Sequence, residues 1–179
     1  MSVDIAECAL FVVLMVAGAY IRIPFPLVPL TFQTVVSVLA GLLLGWKKGA
    51  ASMCVYCFAG LAGLPFFTGG GGIAYVLKPS FGYIIGFIAA AAVAGAIAGN
   101  KPCGIKRYLT AAIVAFLVDY AVGIPYCLIA AKLLGVADLT KLFLTGNLIY
   151  MPKDAVLCVL AALLAKTLVP VIRRGKARI

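Results

Sequence analysis

Apolar runs long enough to cross a lipid bilayer fill most of this chain, and they restrict its fold more than any other feature. Stretches of about 18 or more apolar residues are typical of transmembrane helices. Of the 179 residues, 65% are hydrophobic and only 11% are charged, which leaves too little polar surface for a water-soluble domain of this size. We therefore expect an all-α fold, in the form of a polytopic membrane protein.

Six predicted transmembrane helices account for the sequence. Their approximate ranges are 4–23, 31–46, 49–64, 80–99, 107–134 and 150–172. Asp4 and Glu7 have the spacing of a capping box at the start of the first span, and three prolines between positions 24 and 29 end it. The absence of a basic segment before the first span predicts that it is retained rather than cleaved. No long polar linker divides the chain, so residues 1–179 are expected to form a single domain.

The positions of the basic residues predict the orientation of these spans, although the net charge is +10. Nine of the fifteen basic residues lie in three short clusters, namely Lys47 and Lys48, then Lys101, Lys106 and Arg107, then Arg173, Arg174, Lys176 and Arg178. Connections rich in Lys and Arg stay in the cytoplasm, and six crossings put all three clusters on one side. We expect a multi-pass protein of the cell membrane with both termini cytoplasmic. Clustering of basic residues in short connections argues against binding to nucleic acid.

A loop between the third and fourth spans combines glycine with aromatic residues. Gly70 and Gly71 lie at the centre of four consecutive glycines, which allow close backbone approach or positive φ angles. Tyr75 and Tyr83 follow them, and two phenylalanines precede them. Backbone amide groups that no side chain covers, beside aromatic rings, suit a small ligand with a polar head group. The alternative is that this loop is a flexible linker. An ion filter or passive channel would need repeated subunits around an axis.

Few polar side chains lie inside the spans, because placing a polar or charged side chain in the bilayer costs free energy. Asp154 is one turn into the sixth span with Lys153 beside it, and adjacent helix positions need not pair. Asp119 lies near the middle of the fifth span, and Gln33 lies near the start of the second. A buried carboxylate is a strong acceptor for N–H groups of a cargo. The alternatives are an interfacial carboxylate for Asp154, an interhelical partner for Asp119, and a cap or interhelical hydrogen bond for Gln33.

Catalytic and metal chemistry have little support in the sequence. The chain has no histidine, and no pairing of a nucleophile with a base is recognisable. Cys54 and Cys57 form a C-x-x-C pair without a second pair, which favours helix packing over a zinc or redox site. We therefore expect no enzyme, no cofactor and no ATP hydrolysis by this chain alone. An intramembrane enzyme would need Asp119 and Asp154 in one water-accessible cavity.

Several motifs carry a resemblance to a known family. They are GLAGLPFFTGGGG at 60–72 continuing through Tyr75 to PSFGYIIGF at 79–87, VPLTFQT at 28–34, LAGLLLG at 39–45, GIPY at 123–126 and YMPKD at 150–154. Together they resemble the BioY family, the biotin-binding S components of energy-coupling factor (ECF) transporters. The resemblance covers nearly the whole chain.

The resemblance implies a protein that binds biotin near the outer face, beneath lids formed by loops 1 and 3. It would deliver the cargo by docking on a transmembrane coupling protein driven by two ATPase subunits. The residues predicted to bind the ligand are Asp154, Lys153, Gln33, Gly70, Gly71, Tyr75, Lys78 and Tyr83. This chain departs from the family pattern that the resemblance implies. Lys153 and Lys78 replace residues that are usually glycine in the family. Leu157 replaces a residue that is commonly lysine, and Asp119 replaces one that is commonly apolar. An S component for a biotin precursor or another small vitamin therefore stays open.

Overall fold

The computed structural model describes residues 2–22, 29, 31–99, 101–144 and 148–176. These residues form the α-helices α1 (Ser2–Tyr20), α2 (Gln33–Leu44), α3 (Trp46–Leu61), α4 (Phe81–Ala98), α5 (Ile105–Leu133), α6 (Leu139–Phe143) and α7 (Met151–Lys176), and one 3₁₀ helix, Ile73–Leu77. Across the described ranges there is no β strand beyond a single isolated bridge. The predicted all-α fold is confirmed.

Four of the helices, α1, α4, α5 and α7, are long and apolar enough to cross a membrane, as in a multi-pass membrane protein. Helices α2 and α3 have 12 and 16 residues. At 1.5 Å per residue they are about 18 and 24 Å long, less than the ~30 Å of a hydrocarbon core. Most of α2 is buried among α1, α3, α4, α5 and α7. Because protein rather than lipid surrounds α2, its short length is compatible with a central position.

Small residues bring α4 and α5 into close contact. A Cβ atom on Gly86 of α4 would overlap the carboxyl group of Asp119 on α5. A Cβ atom on Gly123 of α5 would overlap the ring of Tyr83 on α4. Such contacts are expected for helices in lipid, where close backbone approach rather than hydrophobicity holds helices together. The same crossings place Tyr83 and Asp119 near the ligand cavity described below.

Two predictions about helix ends are wrong. Helix α1 begins at Ser2, so Asp4 lies inside its first turn and is not the N-cap. The Asp4 carboxylate instead forms an ion pair with Lys48 of α3. Lys47 and Lys48 were assigned to the turn between two spans, but they lie in the first turn of α3. Gly45 alone makes this turn, with φ 83° and ψ 171°, a backbone conformation that favours glycine.

The connection predicted at 135–149 also has structure of its own. It contains α6, whose N-cap is Asp138 with its side chain accepting a hydrogen bond from the Lys141 backbone N–H. An aspartate in this position satisfies one of the free amide groups at a helix start. Residues 145–147 of this connection lie outside the described residues.

Candidate ligand-binding cavity

A cavity opens at the end of the bundle where α2, α4 and α7 begin and α3 ends. The space between its walls is about 530 Å³, including its open mouth. Its lining comprises Pro29, Thr31, Gln33, Thr34, Tyr56, Phe67, Thr68, Tyr75, Ser80, Tyr83, Ile84, Phe87, Tyr120, Tyr150, Lys153 and Asp154. The cavity is therefore mostly aromatic and apolar, with a few polar groups converging on it. This is the usual composition of a site for a small organic ligand.

The strongest acceptor in the cavity is the Asp154 carboxylate, which is 5% exposed. Its Oδ2 accepts a hydrogen bond from the Tyr120 hydroxyl at 2.7 Å. Its Oδ1 lies 2.7 Å from Lys153 Nζ, but it makes no hydrogen bond of good geometry with the described part of the chain. The two neighbours on α7 thus pair, although adjacency alone did not require it. An interfacial carboxylate in water is excluded by the burial, and Oδ1 is left able to accept an N–H group.

Gln33 connects three helices at the inner wall. Its amide nitrogen lies 3.5 Å from the Met15 carbonyl of α1 and donates to the Tyr56 hydroxyl of α3. Tyr56 in turn donates to the Phe66 carbonyl at 3.1 Å. The predicted interhelical hydrogen bond is therefore present. Since both amide hydrogens have acceptors in the protein, the amide oxygen of Gln33 is the group available to a ligand.

The glycine-rich loop, defined here as residues 62–80, is fixed to the bundle by hydrogen bonds. Phe67 and Gly70 exchange two backbone hydrogen bonds of 2.9 and 3.1 Å, and Gly72 donates to the Gly60 carbonyl at 2.7 Å. Phe67 is 1% exposed, with its ring against Gly60. Gly70 and Gly72 have φ angles of 104° and 100°. The loop is therefore a folded cover with required glycines rather than a linker without contacts.

Tyr75 attaches the same loop to the cavity. Its hydroxyl lies 2.9 Å from Thr68 Oγ1 and accepts from Ser80 Oγ at 3.4 Å. Lys78 Nζ lies 4.6 Å from the centroid of the Tyr75 ring and donates to the Gly69 carbonyl at 3.1 Å. Lys78 is exposed and sits behind the ring rather than in the lining. Tyr75 thus separates the Lys78 ammonium group from the cavity.

Five of the eight predicted ligand-binding residues line this cavity. They are Gln33, Tyr75, Tyr83, Lys153 and Asp154. Among the described residues, Gly70, Gly71 and Lys78 are outside the lining and shape or flank the glycine-rich loop instead. Their contact with a ligand stays a prediction.

Sequence reasoning missed several polar residues of the lining, among them Thr34, Tyr56 and Tyr120. Thr34 directly follows Gln33, and Tyr120 directly follows Asp119. In a helix surrounded by apolar groups on every side, a polar–apolar period cannot tell which of two neighbours faces inward. The one available signal was the presence of tyrosine and threonine among otherwise apolar residues of a span.

Asp119 does not belong to the cavity lining, although it lies nearby. It is 0% exposed and packs against Gly86. The intramembrane enzyme required Asp119 and Asp154 to share a water-accessible cavity, and they do not share one. The described residues also contain no cluster of metal-ligating side chains.

Comparison with known proteins gives a consistent result. The sequence model of the BioY family matches residues 1–174. A "Probable biotin transporter BioY" of Lysinibacillus sphaericus is 41% identical, with 98% of this chain and 91% of the relative covered. A protein of the same name from Pyrococcus horikoshii is 37% identical over 92% and 95% of the two chains. The "Biotin transporter BioY" of Thermotoga maritima is 32% identical over 90% and 93%.

A solved structure shares the fold. It is the crystal structure of the S-component for biotin from an ECF-type ABC transporter, and it superposes with a TM-score of 0.70. The alignment covers 92% of this chain and 89% of the solved chain at 23% sequence identity. The arrangement of helices around the cavity is therefore an S-component fold.

Proposed function

This chain belongs to the BioY family, and we propose that it is the substrate-binding (S) component of a vitamin uptake transporter that binds biotin near the outer face of the cell membrane. The observation that carries the proposal is the buried Asp154 carboxylate at the wall of an aromatic cavity. Biotin has a ureido ring with two N–H groups, a partly apolar body and a carboxylate tail. The free acceptor capacity of Asp154 Oδ1 suits one ureido N–H, and the tyrosine and phenylalanine rings suit the body.

The remaining predicted ligand-binding residues have distinct roles in this proposal. Lys153 balances the charge of Asp154, and Gln33 offers its amide oxygen to the cargo. Tyr75 and Tyr83 provide flat apolar walls. Gly71 keeps the glycine-rich loop close to α3, since a Cβ atom there would lie 2.9 Å from the Gly60 carbonyl oxygen, and Gly70 supplies a positive φ angle in the loop. Lys78, exposed behind the Tyr75 ring, adds positive charge that attracts an anionic cargo toward this end of the bundle.

Delivery completes the proposal. We place six crossings in the cell membrane with both termini in the cytoplasm, and the cargo passes through a transmembrane coupling protein driven by two ATPase subunits. Support comes from the basic residues that lie together at the end of the bundle opposite the cavity. Lys48 pairs with Asp4 there, and Arg107 donates to the Ile97 carbonyl. The chain itself carries out no reaction.

Calorimetry on detergent-solubilised protein tests the cargo. We expect saturable binding of biotin by the wild type, with one site per chain. Asp154→Asn should weaken binding by one to two orders of magnitude, because a hydrogen bond to a charged group contributes about 1.5–3 kcal/mol. Asp138→Asn is the matched control, since Asp138 is exposed and asparagine is an equally good N-cap. Unchanged affinity in Asp154→Asn would remove this residue from the site, and no binding by the wild type would refute biotin as cargo.

A biotin precursor is the second candidate, because Lys153, at a position where the resemblance implies glycine, lies in the cavity lining. Competition between biotin, dethiobiotin and an unrelated vitamin separates these cargoes. Biotin as the cargo predicts that it displaces dethiobiotin and that the unrelated vitamin does not compete, and mass spectrometry of the purified protein should find biotin bound. Preferential retention of dethiobiotin would assign the protein to the precursor instead.

A further inference from the structure

A chain of hydrogen bonds runs from α1 through the cavity wall to the glycine-rich loop. Gln33 Nε2 lies 3.5 Å from the Met15 carbonyl oxygen and 2.5 Å from the Tyr56 hydroxyl oxygen. The Tyr56 hydroxyl lies 3.1 Å from the Phe66 carbonyl oxygen of the loop. Gln33 and Tyr56 are both buried, and both belong to the cavity lining. The orientation of these groups therefore decides what this wall offers to a ligand.

The two backbone carbonyls fix the direction of this chain. A carbonyl oxygen only accepts hydrogen bonds, and a tyrosine hydroxyl has a single hydrogen to donate. Because the Phe66 carbonyl takes that hydrogen, the Tyr56 oxygen is left to accept from Gln33. A reversed Gln33 amide would place its oxygen against the Met15 and Tyr56 oxygens with no hydrogen between them. The amide nitrogen therefore faces these two partners, and the amide oxygen faces away from them.

We propose that Tyr56 is a positioning residue that holds the amide oxygen of Gln33 toward the cavity, so that this wall accepts an N–H group of the cargo and rejects an acceptor in its place. The Phe66 carbonyl directs the Tyr56 hydrogen, so Gln33 is fixed only while the glycine-rich loop is seated. The inference rests on the proposed function, in which Asp154 accepts one ureido N–H of biotin and leaves the other for Gln33.

Selection against an acceptor follows from the burial of this wall. A ligand oxygen opposite the Gln33 oxygen would leave both atoms without a hydrogen bond in a place that water hardly reaches, which is costly. A site built around a hydrogen bond rejects a ligand that lacks the matching group more strongly than a purely apolar site can. A Gln33 amide without Tyr56 as its acceptor could turn and donate to such a ligand. The selectivity would then fall.

Calorimetry with biotin and two analogues tests the inference. In each analogue one of the two ureido N–H groups is replaced by an ether oxygen, which keeps the ring size and exchanges a donor for an acceptor. The measured quantity is the preference, defined as the affinity for biotin divided by the affinity for one analogue. Gln33→Leu identifies the analogue whose oxygen faces Gln33, because the preference over that analogue should fall at least about tenfold.

Tyr56→Phe is the decisive variant. It removes the hydroxyl and keeps the ring beside Phe66 and Phe67. We expect the preference over the analogue identified with Gln33→Leu to fall about three- to tenfold. The preference over the other analogue should not change. In a Gln33→Leu background, Tyr56→Phe should change neither preference, because Tyr56 acts through Gln33.

Tyr126→Phe is the matched control for anchoring of the loop. The Tyr126 hydroxyl donates to the Val76 carbonyl of the glycine-rich loop, but Tyr126 is not in the cavity lining. Loosening the loop affects biotin and both analogues alike. We therefore expect Tyr126→Phe to leave both preferences at their wild-type values, even where the three affinities fall together.

Four results would each overturn the inference. They are wild-type preferences in Tyr56→Phe, wild-type preferences in Gln33→Leu, an equal fall of the same preference in Tyr126→Phe, and a further fall when Tyr56→Phe is added to Gln33→Leu. The second of these results decides against the inference even if Tyr56→Phe does not fold. All four leave biotin binding by the wild type and its dependence on Asp154 untouched, so they differ from failure of the proposed function. If the wild type does not bind biotin, the proposed function and this inference both fail.

Discussion

Lys153 joins two parts of the cavity wall with one side chain. Its Nζ lies 2.7 Å from Asp154 Oδ1 and donates to the Thr31 carbonyl just before α2. The same ammonium group lies 5.4 Å from the centroid of the Phe32 ring. The Lys153 side chain is 25% exposed, against 6% for Asp154. It therefore balances a buried charge and at the same time ties the segment before α2 to α7.

Replacing Lys153 with methionine separates these roles from side-chain volume. We expect Lys153→Met to weaken biotin binding on the order of tenfold, because Asp154 would lose its ionic partner in a partly dry site. Biotin should also dissociate faster, since the Thr31 carbonyl loses its donor. Titration calorimetry and a chase with unlabelled biotin measure the two quantities.

Lys132→Met, on the exposed surface of the last turn of α5, is the control for the loss of one positive charge. It should match the wild type in both measurements. A Lys153→Met protein with wild-type affinity and wild-type dissociation would show that the ammonium group contributes nothing to cargo binding.

For single residues, the sequence predicts which side chains matter better than where they point. An aspartate inside a transmembrane helix costs free energy, so Asp154 and Asp119 are recognisable as candidates from the sequence alone. The sequence does not show that Asp154 lines the cavity while Asp119 is buried outside its lining. Lipid and the protein interior are both apolar, so the two sides of a transmembrane helix carry similar residues. The sequence therefore does not show which side chains face the protein interior.

Close helix contacts determine the geometry at the scale of the elements. A Cβ atom on Gly41 of α2 would overlap the Ala91 carbonyl of α4 and come within 2.8 Å of Ala94 Cβ. The carbonyl belongs to rigid helix backbone, so a methyl group there can be accommodated only by separating the two helices. Helix α2 holds Gln33 and Thr34 at its start, and this crossing fixes its position in the bundle.

Gly41→Ala should therefore destabilise the fold without altering the chemistry of the cavity. Overpacking of this kind costs about 1–3 kcal/mol, which we expect as a lower thermal unfolding midpoint in detergent. Gly175→Ala near the end of α7 is the control, because nothing lies within 4 Å of its added Cβ atom. Equal midpoints for both variants and the wild type would mean that α2 and α4 do not need this close approach.

The helices themselves follow from the sequence, while their ends depend on single residues. Apolar length predicts α1, α4, α5 and α7 within a few positions. The turn between α2 and α3 was placed at two lysines because charge usually marks a connection. The backbone needs only Gly45 for that turn, so α3 begins at Trp46 and takes both lysines into its first turn. Charge thus predicted a connection near this position but not the residue at which the chain reverses.

The whole molecule has two chemically different ends. The cavity, the glycine-rich loop and α6 lie at one end, and the basic residues near Lys48 and Arg107 lie at the other. Anionic lipids and the retention of Lys and Arg in the cytoplasm favour the basic end inside. The proposed six crossings then require the two short helices, α2 and α3, to cross as a hairpin shielded by their neighbours. This arrangement makes the number of crossings a testable property of the whole chain.

Single cysteines test the number of crossings and the orientation of the chain. They are introduced into a variant that lacks the six native cysteines and still binds biotin. Lys101→Cys and Gly175→Cys mark the basic end, and Ala137→Cys marks the connection before α6, with all three positions exposed. In intact cells, a membrane-impermeant maleimide should label only Ala137→Cys, and permeabilisation should expose the other two. Labelling of Gly175→Cys from outside would place the C-terminal end on the wrong face. Labelling of Lys101→Cys from outside would overturn the orientation in the same way. A fourth variant, Lys47→Cys, tests the α2–α3 hairpin, because Lys47 is exposed in the first turn of α3 and its labelling from outside would show that α2 and α3 do not cross.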